Sequence, residues 1–189
     1  ILKAVIYFQR CNFDRAMEAV NEFNAQYPGL KKDVDAVIAK YPDNAEFYSY
    51  ILKIRDGEAG LNERVQRAAE GALADKTMMK SLEYVAELDR ELKQVEKSDP
   101  AWKSTAVAGN ILQDLTLQKS LAANDAGNLA RERLKRLSSE IAELVRQAIK
   151  VEYETLQAQK GVLEAEIKNE VAAAGAGAKK QGFGEVVVD

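Results

Sequence analysis

The stretch that decides the fold is "MMKSLEYVAELDRELKQV", residues 78–95. Its apolar side chains recur at steps of three and four residues, at Met78, Leu82, Val85, Leu88, Leu92 and Val95. This spacing puts them on one face of an α-helix, with charged residues on the opposite face. Such a helix is stabilised mainly by packing of its apolar face, so the sequence predicts long helices lying side by side.

The pattern extends upstream, and we predict one long helix over residues 61–97 with a weak point at Gly71. The sequence "SDPAW" then predicts a new helix, because Pro100 is favoured at the first position of a helix. This next helix, about residues 101–122, is the most apolar of the chain and is expected at the centre of the fold. The sequence "NDAGN", residues 124–128, is expected to form a turn that ends it.

The longest predicted helix covers about residues 129–171. Apolar residues keep the spacing of three and four at Leu134, Leu137, Ile141, Leu144, Ala148 and Val151, and less regularly at Leu156, Leu163, Ile167 and Val171. At about 1.5 Å per residue this helix is about 65 Å long. It must either lie along the helix of residues 61–97 or project and meet a partner, and its composition is consistent with both arrangements.

The first 58 residues predict four shorter helices separated by helix breakers. They cover about residues 1–10, 13–27, 30–41 and 45–56. Asn12 or Asp14 is expected to cap the second helix, and Asp43 or Asn44 the fourth. This region therefore differs from the long helices that follow it.

Charge and composition limit the functions open to the chain. The net charge is −3, from 27 basic and 30 acidic residues, and the isoelectric point near 5.3 argues against a nucleic-acid partner. Histidine is absent and Cys11 is the only cysteine, which removes the commonest general base and the usual zinc ligands. Cys11 is expected to be a buried, small apolar residue. We predict no enzyme activity, no cofactor and no metal.

Apolar runs are also too short for a membrane protein. None approaches the roughly 18 residues that a transmembrane helix requires. We therefore predict no transmembrane segment in this chain.

A second informative pattern is "KAVIYFQRCNFDRAMEAVNEFNAQYP", residues 3–28. Small residues stand where two helices would cross closely, and larger ones surround the crossing; the positions are Ala4, Tyr7, Phe8, Phe13, Ala16, Val20, Phe23 and Pro28. The pattern resembles one repeat of the tetratricopeptide family, a helix–turn–helix unit of 34 residues. Two positions differ from the family pattern. Cys11 stands where glycine is common, and Phe23 is larger than the usual alanine.

The resemblance implies a place in an array and a binding surface. No second repeat follows in register, because Pro42 falls on the position of Phe8, in the middle of a helix. The unit would then be the last of an array, and because the chain opens inside a helical pattern without Met, we expect it to continue upstream. In this family the first helix of each unit lines a concave groove. The resemblance therefore implies that Val5, Phe8 and Gln9 face a partner, with ordinary core or capping contacts as the alternative.

A second candidate contact is the aromatic cluster of Phe47, Tyr48 and Tyr50. Three aromatic residues within four positions cannot all lie on one narrow helical stripe. We expect either a small exposed aromatic patch, centred on Tyr48, or ordinary packing.

Together these observations predict an all-α fold, with a tetratricopeptide-like hairpin and a long antiparallel helical bundle or coiled-coil hairpin. The predicted segments are 1–58 with short helices, 59–171 with long helices, and 172–189 as an Ala/Gly-rich linker with a short apolar tail. The function we expect is a non-catalytic scaffold that binds other protein subunits. The alternative is a self-associating coiled-coil subunit. Bacterial envelope and motility proteins often combine such repeats with helical arms, and this analogy favours an envelope complex.

Overall fold

The structure is a computed structural model that describes residues 1–178, with side chains as far as residue 173. Every regular element in this range is an α-helix, which confirms the all-α prediction. The helices are α1 (Leu2–Gln9), α2 (Phe13–Asn24), α3 (Tyr27–Ala39), α4 (Asn44–Arg55), α5 (Glu63–Leu73), α6 (Lys76–Glu96), α7 (Pro100–Lys103) and α8 (Ala106–Ala178). None of the helices in residues 1–178 holds an apolar stretch long enough to cross a membrane. The predicted apolar tail, 185–189, lies outside the described residues.

The chain divides into two compact units. Unit 1 contains Ile1–Ala25 and the chain from Leu144 onward, and unit 2 contains Gln26–Glu143. Because α8 is continuous from Ala106 to Ala178, it contributes to both units. This division follows packing, whereas the segments 1–58, 59–171 and 172–189 follow helix length and composition and stay predictions.

Short polar side chains define the starts of several helices, as the sequence predicts. The Asn12 side chain accepts a hydrogen bond from the backbone N–H of Arg15 at 3.3 Å. The Asp43 carboxylate accepts from Ala45 and Glu46, both at 2.9 Å. These bonds satisfy backbone donors that have no partner within the helix.

The predicted single helix over residues 61–97 is wrong, because two helices, α5 and α6, occupy this range. The break does not lie at Gly71, which is inside α5. It lies at Asp75, whose carboxylate accepts hydrogen bonds from the backbone N–H groups of Thr77 at 2.8 Å and Met78 at 3.0 Å. An aspartate that caps a new helix stabilises it by about 1 kcal/mol, which favours a break here.

The predicted helix over 101–122 and the turn at 124–128 are also wrong. After the short helix α7, α8 begins at Ala106 and passes through 124–128 without interruption. Its first part is not central, since Val107 and Leu121 are 62% and 58% exposed. A helical glycine costs about 1 kcal/mol relative to alanine. Packing outweighs this cost at Gly127, whose Cα lies so close to the Asn44 backbone that a side chain would overlap its carbonyl.

Within unit 2, two ion pairs join α6 and α8 in an antiparallel arrangement. Asp75 pairs with Arg133 at 2.6 Å, and Asp89 pairs with Lys119. Moving forward along α6 from the first pair to the second means moving backward along α8, which establishes the direction. The buried residues of these stretches are large on α6 and small on α8; they are Met78, Leu82, Val85, Leu88, Ala126 and Ala130.

A guanidinium group connects α8 to the turn between α3 and α4. Arg131 donates hydrogen bonds to the carbonyl oxygens of Ile38 at 2.7 Å and Tyr41 at 2.6 Å. It also donates to the Asn44 side chain at 3.2 Å, and its Cζ atom lies 4.3 Å from the centroid of the Phe47 ring. Arg131 thus satisfies backbone acceptors at the end of one helix while covering a core aromatic ring.

Within unit 1, α1 and α2 form a hairpin that packs on α8. Ala4, Ala19, Val20 and Val151 form one buried cluster, with Val5 against it. Ala4 and Ala16 are fully buried, as expected where two helices cross closely. The prediction for Cys11 is wrong: its side chain is exposed and its φ is +54°.

Candidate interaction surface

In unit 1, the buried face of α8 consists of Ala148, Val151 and Thr155. Val151 packs with residues of α1 and α2, and Thr155 donates its hydroxyl hydrogen to the Val151 carbonyl at 2.7 Å. At 3.6 residues per turn these three positions lie on one side of the helix. The predicted inward positions Ala148 and Val151 are therefore confirmed.

On the opposite side of this part of α8 lies a row of exposed apolar residues, which we call the outer stripe. It consists of Ile149, Tyr153, Leu156, Leu163 and Ile167, which are 58%, 62%, 50%, 57% and 59% exposed. With Lys160 in the remaining position, the row follows alternate steps of four and three residues. Single exposed apolar residues are normal on a protein surface, but several on one helix face, interrupted here only by Lys160, make that face a candidate interaction site.

The sequence places Leu156, Leu163, Ile167 and Val171 on the inward face, and the structure contradicts this. All four are at least 50% exposed. The spacing alone does not separate them from the buried residues, because steps of three and four are compatible with either side of a helix. One sequence signal could have identified the exposed row. Ile149 and Tyr153 continue the steps of four and three that lead to Leu156, on a different face from Ala148 and Val151.

Side chains along one edge of the outer stripe form hydrogen bonds with side chains of α2. Glu152 accepts a hydrogen bond from the Asn24 amide at 3.3 Å. Further along, the Gln159 amide donates to the Asp14 carboxylate at 3.1 Å. These side chains are therefore directed toward the α1–α2 hairpin.

The other edge, which we call the open edge, consists of Lys150, Gln157 and Glu164 at intervals of seven residues. Its contacts are made within α8 itself. Lys150 lies 3.8 Å from Glu154, Lys160 lies 3.7 Å from Glu164, and Gln157 donates to the Tyr153 hydroxyl at 2.7 Å. The side chains of Lys150 and Glu164 are 75% and 58% exposed, so both are accessible to a partner.

A groove of about 630 Å³ lies beside the far end of the outer stripe. The turn between α1 and α2 forms one wall, and α8 forms the other through Gln159, Val162, Leu163 and Glu166. Val162 is 47% exposed and adds to the apolar surface next to Leu163. The groove therefore widens the surface that the outer stripe presents.

The predicted groove residues of α1 differ in their surroundings. Val5 is half-buried against the cluster that includes Ala4 and Val151. Phe8 is half-buried, with its ring centroid 6.1 Å from that of Phe13, and Gln9 is exposed. Gln9 thus has the largest free surface of the three, and partner contact by these residues stays a prediction.

The aromatic cluster of α4 lies mostly in the core of unit 2. Phe47 and Tyr50 are 0% and 3% exposed. Tyr48 is half-buried, and burial raises the pKa of its hydroxyl. Of these three rings, only Tyr48 has surface that a partner could touch.

Two carboxyl groups of unit 2 have lowered pKa values because neighbouring side chains, in the same helix and in a second one, donate hydrogen bonds to them. The neighbouring ammonium groups of Lys119 and Lys93 hold the pKa of Asp89 at about 2. Hydrogen bonds from Lys31 and Ser138 lower the pKa of Asp35. Among the described residues no cluster of His, Cys, Asp or Glu has the arrangement of a metal site.

Comparison with known proteins finds no family model, no curated protein and no solved structure that matches this chain. The resemblance to the tetratricopeptide family therefore stays a prediction. The outer stripe and its two edges form the candidate interaction surface of the chain.

Proposed function

We propose that this protein is a non-catalytic scaffold that binds the helix of a partner subunit along the outer stripe. The observation that supports this proposal is a helix with two apolar faces, of which the described residues cover only one. Its Val151 side packs on α1 and α2, while the side with Leu156 and Leu163 is open to solvent. Apolar positions repeating at steps of four and three match the surface that one helix presents to another.

The expected strength of binding follows from the area. Covering the exposed half of each of five apolar side chains contributes about 1 kcal/mol per side chain, or about 5 kcal/mol in total. The loss of translational and rotational freedom on association costs about as much or more. The apolar face alone therefore supports weak binding, and polar contacts along its edges must add to it.

The groove implied by the tetratricopeptide resemblance is a less favoured binding surface. Val5 is packed within unit 1, which leaves mainly Phe8 and Gln9 to meet a partner. A place in an envelope or motility complex is likewise an expectation drawn only from that resemblance. The outer stripe provides the larger exposed apolar area.

Photo-crosslinking in native cells tests the proposal. A photoreactive phenylalanine analogue at Leu163 of the full chain should crosslink to a protein. The same analogue at Asn169, which is exposed on the other side of this helix, should not. The substitution Leu156→Ser should reduce the crosslink from position 163. Equal crosslinking from both positions, or none from Leu163, would rule out binding through the outer stripe.

A further inference from the structure

We infer that the partner of the outer stripe is a second copy of this chain, bound antiparallel with the two-fold axis next to Gln157. This inference rests on the proposed function, because it names the occupant of the same surface. It is carried by the order of charges on the open edge, which is complementary to itself when reversed.

The side chains of the open edge are positive, neutral and negative in chain order, at Lys150, Gln157 and Glu164, with an interval of seven residues. A two-fold reversal about Gln157 brings Lys150 of one copy opposite Glu164 of the other, and does so at both ends. The two Gln157 amides then face each other, and each can donate one hydrogen bond and accept one. In antiparallel coiled coils equivalent edges face each other, so this edge meets its own copy.

The same two-fold arrangement aligns the apolar rows, with the centre of the apolar pairs one residue further along, at 158, because the row lies at a different angle around the helix. Ile149 of one copy lies opposite Ile167 of the other, Tyr153 lies opposite Leu163, and Leu156 lies opposite Lys160. The aliphatic stem of Lys160 can cover Leu156 while its ammonium group stays with Glu164 of its own helix, 3.7 Å away. Every apolar position of the outer stripe therefore has an opposing side chain.

A parallel, in-register dimer lacks this match. It would place Lys160 directly opposite Lys160 in the centre of the interface, where like charges repel. It would also bring the open edge against the edge that carries Glu152 and Gln159. Those two side chains are directed toward α2 by hydrogen bonds to Asn24 and Asp14. The antiparallel arrangement brings Glu152 of one copy near Glu166 of the other, but Glu152 is held toward Asn24 of its own copy, which weakens this repulsion. The Lys150–Glu164 pairs and the absence of a Lys160–Lys160 contact therefore favour the antiparallel arrangement.

The size of the surface determines the expected stability of the dimer. Residues 149–167 span about 27 Å at 1.5 Å per residue. An interface of this length lies at the small end of the specific range, which is typical of reversible association. We expect a dimer that forms with rising concentration and dissociates readily on dilution.

Sedimentation velocity of the full chain measures this association. The average mass should rise with concentration from 20.9 kDa toward twice that value. Lys150→Glu and Glu164→Lys should each weaken association about tenfold, because each creates two like-charged pairs. The double variant should restore it to about the wild-type level, since the charges are exchanged. Lys135→Glu, an exposed change in unit 2, should have no effect and controls for net charge.

Crosslinking through single cysteines tests the geometry without relying on charge. In a Cys11→Ser background, Gln157→Cys should be joined to itself by a short bis-maleimide reagent. Lys150→Cys should not, because the two copies of that position would be about 21 Å apart along the axis. Efficient self-crosslinking at both positions would indicate a parallel dimer and overturn the antiparallel assignment.

Other outcomes separate this inference from the proposed function. A chain that stays monomeric at every concentration would overturn the second copy as partner. If the Leu163 crosslink then captures a different protein, the scaffold function stands without self-association. If the double charge variant fails to recover while its circular dichroism remains helical, the pairing of Lys150 with Glu164 is wrong.

Discussion

At the scale of single residues, Cys11 and Gly127 show how the backbone limits the side chains that a position accommodates. Cys11 lies in the turn between α1 and α2 with a φ of +54°, a conformation that costs most residues about 1–2 kcal/mol. The tight turn between two crossing helices requires it, and the thiol is left exposed. Gly127 has an ordinary helical backbone, but its neighbour Asn44 leaves no room for a side chain.

The close approach at Gly127 gives a stability prediction with a control in the same helix. Gly127→Ala should lower the free energy of unfolding by about 2 kcal/mol, because the methyl group would overlap the Asn44 carbonyl. Gly161→Ala has open space around it and should raise that energy by about 0.5–1 kcal/mol through helix propensity. Urea denaturation followed by circular dichroism measures both. Stabilisation by Gly127→Ala would contradict the close contact.

At the scale of elements, helix ends are determined by caps, but helix continuity is determined by neighbours. Asp75 starts a new helix where the apolar pattern alone predicts a continuous one. Conversely, α8 continues through the turn-like sequence of 124–128, because Ala126, Gly127 and Ala130 are buried there. Small residues let a neighbouring backbone approach the helix closely. The free energy gained by this packing offsets the low helix propensity of glycine.

Arg131 gives a test of how α8 holds the turn between α3 and α4. Arg131→Lys should lower the free energy of unfolding by about 2 kcal/mol, because an ammonium group cannot reproduce the planar fork that bonds several carbonyl oxygens. Arg136→Lys, at a side chain 70% exposed, should change it by less than about 0.5 kcal/mol. Thermal or urea denaturation of both variants makes the comparison. Equal effects would show that the Arg131 contacts contribute little.

At the scale of the whole molecule, stability depends on how α8 is packed within each unit. In unit 2 it pairs antiparallel with α6 through Asp75–Arg133 and Asp89–Lys119. In unit 1 the hairpin of α1 and α2 covers only one of its faces. The surface left uncovered there is the basis of the proposed function.

The ion pair of Asp89 predicts a dependence of stability on acid. Its pKa is about 2 in the folded chain, below the ordinary value of 3.8, so the carboxylate stabilises the fold above pH 3.8. That contribution should be lost as the pH falls from about 4 to about 2. Because Asp89 is partly exposed, solvent screening reduces its size to about 0.5 kcal/mol.

The variant Asp89→Asn isolates this contribution. Its free energy of unfolding should be lower than that of the wild type at pH 6, and the two should converge near pH 2. Asp125→Asn, at an exposed aspartate of α8, serves as the matched control. Urea denaturation at several pH values gives the curves. A constant difference between wild type and Asp89→Asn at every pH would exclude this role for the ion pair.

By itself, the sequence determined the helical class, the caps at Asn12 and Asp43, and the burial of the small residues Ala4 and Ala16. These features depend on local periodicity, on side chains that bond the nearby backbone, and on residue size. Only the tertiary structure decided that α8 is continuous, that Cys11 is exposed, and that residues 1–178 leave the outer stripe uncovered. The physical reason is that apolar spacing shows which residues share a helix face, whereas burial depends on which other helices reach that face.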